Sequence, residues 1–213
     1  MDLISINTSK QKFIEYQGKP ISTGIFKESI EGNILVKKGN LEGDEQADLL
    51  NHGGPHKAVY AFSYNHYDYW REILKNNKLQ HGAFGENLTI SDFDEASVFI
   101  GDQFSIGDCI LEVSQPRVPC FKLGIALNNT KAPKLFTKSF NTGVYFRVIK
   151  EGKITRGDQV TKIHSVPNSV SVRSLFRAYF DKSYDQANQI MAQALLLDAL
   201  APEWRDKLTG RIE

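Results

Sequence analysis

The feature that most constrains this chain is its punctuation: apolar runs are short and are cut at close intervals by turn residues. "IGDQF" (100–104), "IGDCI" (106–110) and "RGDQV" (156–160) repeat one arrangement. Glycine frees the backbone for positive φ, aspartate can bond the amides of its neighbours, and an apolar strand residue follows. Runs rich in β-branched and aromatic residues, Leu3–Ile6, Ala58–Phe62, Val98–Ile100, Ile110–Val113 and Val144–Ile149, are bounded by Gly, Asp, Asn or Pro. Many short strands over 1–167 predict a barrel or folded sheet rather than alternating βαβ units. One helix is expected among them, with Ser63 as its cap and Tyr67, Trp70 and Leu74 on its apolar face.

The pattern changes after "HSVPNS" (164–169). Val172, Leu175, Phe176 and Tyr179 fall at helical spacing, and that helix stops near Phe180–Asp181. Ser183 with Gln186 reads as a capping box for a second helix, whose apolar face uses Ala187, Ile190, Met191, Ala194 and Leu197. Pro202 suits the first turn of a third helix carrying Trp204 and Leu208. The expected organisation is a mainly β body over 1–165 and a three-helix segment over 168–213, with no low-complexity linker. The helices pack on the body or on a partner, and periodicity leaves a homodimer contact open.

Charge excludes more than it suggests. Lys and Arg number 26 against 25 Asp and Glu, a net charge of +1, so any anion site must be local. In the tail Arg173, Arg177 and Lys182 are matched by Asp181, Asp185, Asp198, Glu203 and Asp206, and no recognition helix stands out. No apolar run approaches the roughly 20 residues that span a bilayer. The opening "MDLISINTSKQKF" lacks the basic start and apolar core of a signal peptide. The expectation is a cytoplasmic protein without nucleic-acid or membrane partners. Two cysteines are expected to be thiols in that compartment, and they cannot supply the four thiolates of an ordinary iron–sulfur cluster. Redox chemistry here would need electrons from elsewhere.

Three stretches could carry chemistry. Cys109 shares a strand face with Leu111 and Val113 and reads as core. Cys120, in "VSQPRVPCFKLGIAL" (113–127), follows two prolines and lies between Arg117 and Lys122. A helix starting there would favour thiolate, yet spacing alone leaves a buried structural cysteine level with a reactive or ligating one. In "DLLNHGGPHKAVYAF" (48–62) Gly-Gly-Pro forbids the helix that would align His52 and His56 for zinc. Gly53, Gly54 and Lys57 instead offer close backbone approach beside a cation, or simply a tight turn. "GAFGENLTI" (82–90) matches no phosphate-loop fingerprint.

Taken together, "GDEQADLLNHGGPHKAVYAF", "GAFGENLTI", "IGDQFSIGDCILEVSQPRVPCFKL" and "TGVYFRV" resemble, in order and spacing, the MOSC domain family and its bacterial YiiM-type branch. The resemblance covers about residues 1–165, and the tail is similar to the three-helix segment that ends that branch. It implies a β-barrel-like fold and the molybdenum cofactor, a pterin dithiolene with a phosphate, with Cys120 as metal ligand. A soft thiolate suits a metal already held by sulfur. Arg117, Lys57 and Arg147 are then candidates for the anion site, although singly each reads equally well as a solvated cation. Asn87 and the Gly53–Gly54 backbone are candidates for the pterin edge, and His52 for orienting ligand or substrate. The implied activity is reduction of N-hydroxylated compounds (hydroxylaminopurines, amidoximes, hydroxylamines), detoxifying base analogues. With no dinucleotide fingerprint in the chain, a flavoprotein or ferredoxin-type reductase would donate electrons. The alternative is a cofactor carrier or sulfur-transfer module that reduces nothing.

Overall fold

A computed structural model describes residues 1–47 and 53–212. The short-strand reading holds. The strands are β1 (Leu3–Thr8), β2 (Lys12–Tyr16), β3 (Lys19–Thr23), β4 (Glu28–Ile30), β5 (Ile34–Val36), β6 (Val59–Ser63) and β7 (Leu88–Ile90). They continue with β8 (Gln103–Ile106), β9 (Cys109–Pro116), β10 (Val144–Lys150), β11 (Gly152–Ile154) and β12 (Val160–His164). Eight form one sheet in the order β12-β8-β9-β10-β6-β7-β1-β4, antiparallel except for β6 beside β7. β2 with β3, and β5 with β11, make two-stranded ribbons. The large sheet is open, with β12 and β4 at its edges, so the expected barrel describes it only loosely.

The glycines of the three Gly-Asp turns, Gly101, Gly107 and Gly157, all have positive φ, and Asp158 accepts from the Thr155 amide at 2.8 Å. Val98–Ile100 is not a strand of the sheet. Its backbone bonds go to the start of the tail instead: Val172 N donates to Val98 O and Ile100 N donates to Val170 O.

Six helices accompany the strands among the described residues: α1 (Tyr67–Leu74), α2 (Phe121–Ala126), α3 (Ala132–Ser139), α4 (Val172–Phe180), α5 (Ala187–Leu195) and α6 (Pro202–Ile212). Ser63 does not cap α1, because a 3-10 turn over Tyr64–His66 intervenes and the hydroxyl makes no cap bond. Ser183 is also no cap for α5. Asp181 takes its hydroxyl at 2.6 Å and its amide at 3.0 Å, and the helix begins four residues later. α3 had no clear signal in the sequence. None of these helices is long and apolar enough to cross a membrane.

Alternation along β9 and β10 decides what points where. Cys109, Leu111 and Val113, with Val144, Phe146 and Val148, face the main core. That core runs on without a break into Leu175, Phe176, Met191, Trp204 and Leu208 of the tail. The helices therefore dock on the body of their own chain. Ala201 N donates to Ser114 O at 3.0 Å, which ties the start of α6 to β9. A second, aromatic cluster joins β6 to α1, α2 and α3: Tyr60, Phe62, Tyr67, Trp70, Phe84 and Phe136, with Phe62 and Phe84 centroids 4.5 Å apart.

Candidate functional site

Two adjoining recesses, of about 90 and 360 Å³, share Lys57, Val118, Cys120, Lys122 and Tyr145 in their walls. The inner one adds Lys27, Asp44, Tyr60, Asn87 and Arg117. The outer one adds Gln115, Phe121 and, from the tail, Glu203 and Lys207. Cys120 thus stands where the two meet.

The local chain explains its position. β9 ends at Pro116, which pairs with Val144, and the chain leaves the sheet towards Pro119. Cys120 itself is extended (φ −122°, ψ 175°), the last residue before α2, and its carbonyl accepts from Leu123 N at 3.0 Å. It is partly exposed, whereas Cys109 is fully buried. Burial, reinforced by Asp108 and Asp158, pushes the Cys109 thiol up to about 12, so it stays protonated.

Arg117 is 5 % exposed, and its guanidinium lies over the Tyr60 and Phe136 rings at 5.2 and 5.3 Å. Nη2 donates to Phe84 O at 3.4 Å, while Nη1 is buried with no hydrogen-bond partner among the described residues. The Phe84 carbonyl is held in turn by the 82–87 loop. Buried Glu86 accepts from Gly82 N at 2.8 Å, Phe84 N at 3.1 Å, Thr89 Oγ1 at 3.1 Å and the Tyr67 hydroxyl. Burial raises the Glu86 pKa, and these donors oppose that rise. Gly82 and Gly85 are glycines because a Cβ would meet Lys27 O at 2.8 Å and Ile25 Cγ1 at 2.9 Å.

The remaining sequence candidates divide. Lys57 lines both recesses and ion-pairs with Glu203 of α6. Burial works against ionising Glu203, but Lys207 and Lys57 more than offset it, and its pKa falls below the usual carboxylate value. Asn87 lines the inner recess, and its amide accepts from Tyr60 N and donates to Asn7 O and Asp44. Gly53 and Gly54 line neither recess. Gly54, at φ +88°, opens the turn into Pro55–Lys57. Arg147 lies elsewhere. It pairs with Glu112 at 2.8 Å and donates to Ala199 O at 2.6 Å, pinning the tail beside a different recess. His52 lies outside the described residues. Sequence reasoning missed Lys27, Tyr60, Tyr145, Gln115 and Glu203, which come from segments far apart in the chain.

The donor set suits a sulfur-ligated metal carried by an anionic organic ligand. No group of three or more His, Cys, Asp or Glu among the described residues could hold a metal ion alone, so a metal at Cys120 needs ligands brought with it. Arg117, with an unpartnered N–H, answers an anion such as phosphate; Lys27 and Lys57 line the same recess but are paired with Asp44 and Glu203, and Lys122 lines it as well.

These features define a MOSC-type protein, and the chain belongs to the MOSC domain family, whose model matches residues 48–161. The tail assigns the branch: residues 170–213 match the YiiM-like, 3-alpha helix domain. The chain is 37 % identical over 204 residues to the uncharacterized protein YflK of Bacillus subtilis (strain 168), covering 95 % of this chain and 90 % of YflK. It is 31 % identical to Protein YiiM of Escherichia coli (strain K12), covering 92 % and 89 %. A protein of Gibberella moniliformis named "Reductase" is 35 % identical over 147 residues, 68 % of this chain and 26 % of that protein. The crystal structure of YiiM from Geobacillus stearothermophilus superposes with a TM-score of 0.83 at 28 % identity, covering 100 % of this chain and 99 % of that one.

Proposed function

We propose that this protein is a molybdenum-cofactor-dependent reductase of N-hydroxylated compounds that receives its electrons from a separate redox protein. The observation that carries the reading is the meeting of Cys120 with buried, partly unpartnered Arg117 at one opening. The family and a relative named as a reductase support it. When bound, the molybdenum cofactor supplies a two-electron centre able to take up oxygen from nitrogen. The overall change is R–NHOH plus two electrons and two protons to R–NH2 plus water, with the N–O bond broken.

The chain's residues do the holding. Cys120 would ligate the metal, its direction fixed by Pro119 before it and α2 after it. Arg117, braced by aromatic rings and the Phe84 carbonyl, would hold the anionic end in the inner recess. The outer groove would be left for substrate, edged by Lys57, Lys207 and Glu203. The test uses protein from a host that makes the cofactor. With a chemical reductant it should convert an amidoxime or a hydroxylaminopurine to the N–H product, and with NADH alone it should not. Molybdenum-loaded protein that turns over nothing is a carrier, and the reading fails.

A further inference from the structure

The Gln115 side chain is 2 % exposed, lines the outer groove beside Cys120, and its Oε1 is buried with no hydrogen-bond partner among the described residues. An amide oxygen buried unpaired is destabilising, so its presence at the wall of a groove calls for a partner that the groove can supply. Of its neighbours, Ser114 Oγ lies 2.6 Å from His56 O and 2.9 Å from Tyr145 O, sharing its one proton between them. Across the strand pair Arg147 Nη1 bonds Glu112, while its Nε is also buried without a partner among the described residues. A carboxamide offers an acceptor and a donor on one edge, whichever way the amide is turned. The complementary ligand edge has an N–H donor beside an sp2 nitrogen acceptor. Phe121, 44 % exposed, and Tyr145 set ring surface along the same groove.

We infer that Gln115 is a specificity residue that reads the amidine edge of the substrate, selecting amidoximes and hydroxylaminopurines over simple hydroxylamines. This rests on the reductase reading for its activity arm. The edge in question is the N–C=N unit shared by an amidoxime and by the hydroxylamino-bearing carbon of a purine. An alkylhydroxylamine carries no second nitrogen and leaves the amide half satisfied. Loss of a paired bidentate amide contact should cost about ten- to a hundredfold.

The test compares kcat/KM for benzamidoxime and for an N-alkylhydroxylamine in the molybdenum-loaded wild type, Gln115→Leu and Gln115→Glu. The selectivity ratio should fall about ten- to a hundredfold in Gln115→Leu. Gln115→Glu, which offers two acceptors, should shift preference towards an N-hydroxyguanidine, whose edge carries two donors. A purely structural role would lower all substrates alike, and that outcome overturns the inference. So does loss of bound molybdenum in Gln115→Leu, which would place the amide against the cofactor. Calorimetric binding of adenine needs no turnover and separates this claim from the reductase claim. Adenine bound at least tenfold more weakly by Gln115→Leu supports the amide assignment even if wild type reduces nothing. Adenine bound equally by both proteins, or by neither, overturns it.

Discussion

Leu208→Ala tests whether the three tail helices are an attachment or part of one cooperative unit. Leu208 is fully buried in α6, in the same continuous core as Leu3, Phe104 and Val113 of the sheet. Truncating a buried leucine removes its transfer free energy and leaves a cavity, a loss of about 2–5 kcal/mol. For a chain of this size each kcal/mol moves the melting temperature by about 2–4 °C, so the expected drop is about 4–20 °C. The two tryptophans make the decisive assay. Trp204 sits in the shared core and Trp70 in the aromatic cluster of the body. Fluorescence melts in Trp70→Phe and Trp204→Phe backgrounds therefore report the tail and the body separately. If one core joins them, both probes shift together and calorimetry shows a single transition. A drop seen by Trp204 alone, with Trp70 unmoved, would refute the reasoning.

Other consequences follow from single residues. A thiol reagent should label Cys120 in the native protein and Cys109 only after unfolding, because burial holds the Cys109 thiol protonated; two labels at native pH would contradict this. Gly143→Ala should cost about 2–4 kcal/mol in denaturant titration. Gly143 has φ +80°, and a Cβ would stand 2.5 Å from Ala61 O and from Tyr60, beside the carbonyl that binds Arg117 N. Burial lowers the pKa of His56, with Arg147 adding to it, and likewise that of His81, with Arg71 and Arg156 adding to it. The unfolded state then binds more protons, so their contribution is complete above about pH 6.5 and is lost as pH falls below it. A His56→Asn, His81→Asn variant should show a flatter stability profile between pH 7.5 and 5; an unchanged slope would refute that origin.

The sheet could be read in advance because its signals are local. Period-two alternation in Cys109–Val113 and Val144–Val148, and glycines at forced positive φ, need no knowledge of neighbours. The same is true of Trp204 and Leu208, which follow Pro202 at helical spacing. Where the outcome depended on a distant partner, the sequence was silent. Val98–Ile100 has the composition of a strand, but its backbone partners, residues 170–172, arrive from the tail. Ser183 fits a cap, yet Asp181 takes both its hydroxyl and its amide. Arg147 resembled an anion-site cation because nothing in the chain marks Glu112 as its cross-strand partner. Cys120 and Arg117 were found as a pair because only two residues separate them. Lys27, Tyr145, Gln115 and Glu203 were not, since only the fold gathers them. Gln115 in particular has no sequence signature; its unbonded amide exists only in three dimensions.

The central claim is that Cys120 is the ligand on which the chemistry depends. It is tested most directly by bound molybdenum and amidoxime reduction in wild type, Cys120→Ser and Cys109→Ser, all prepared in a cofactor-competent host. Cys120→Ser should abolish reduction and alter the metal's X-ray absorption signature, with the melting temperature close to wild type. Cys109→Ser should keep the activity and lose stability, since it puts a hydroxyl into a fully buried apolar face. Full activity in Cys120→Ser would contradict the account.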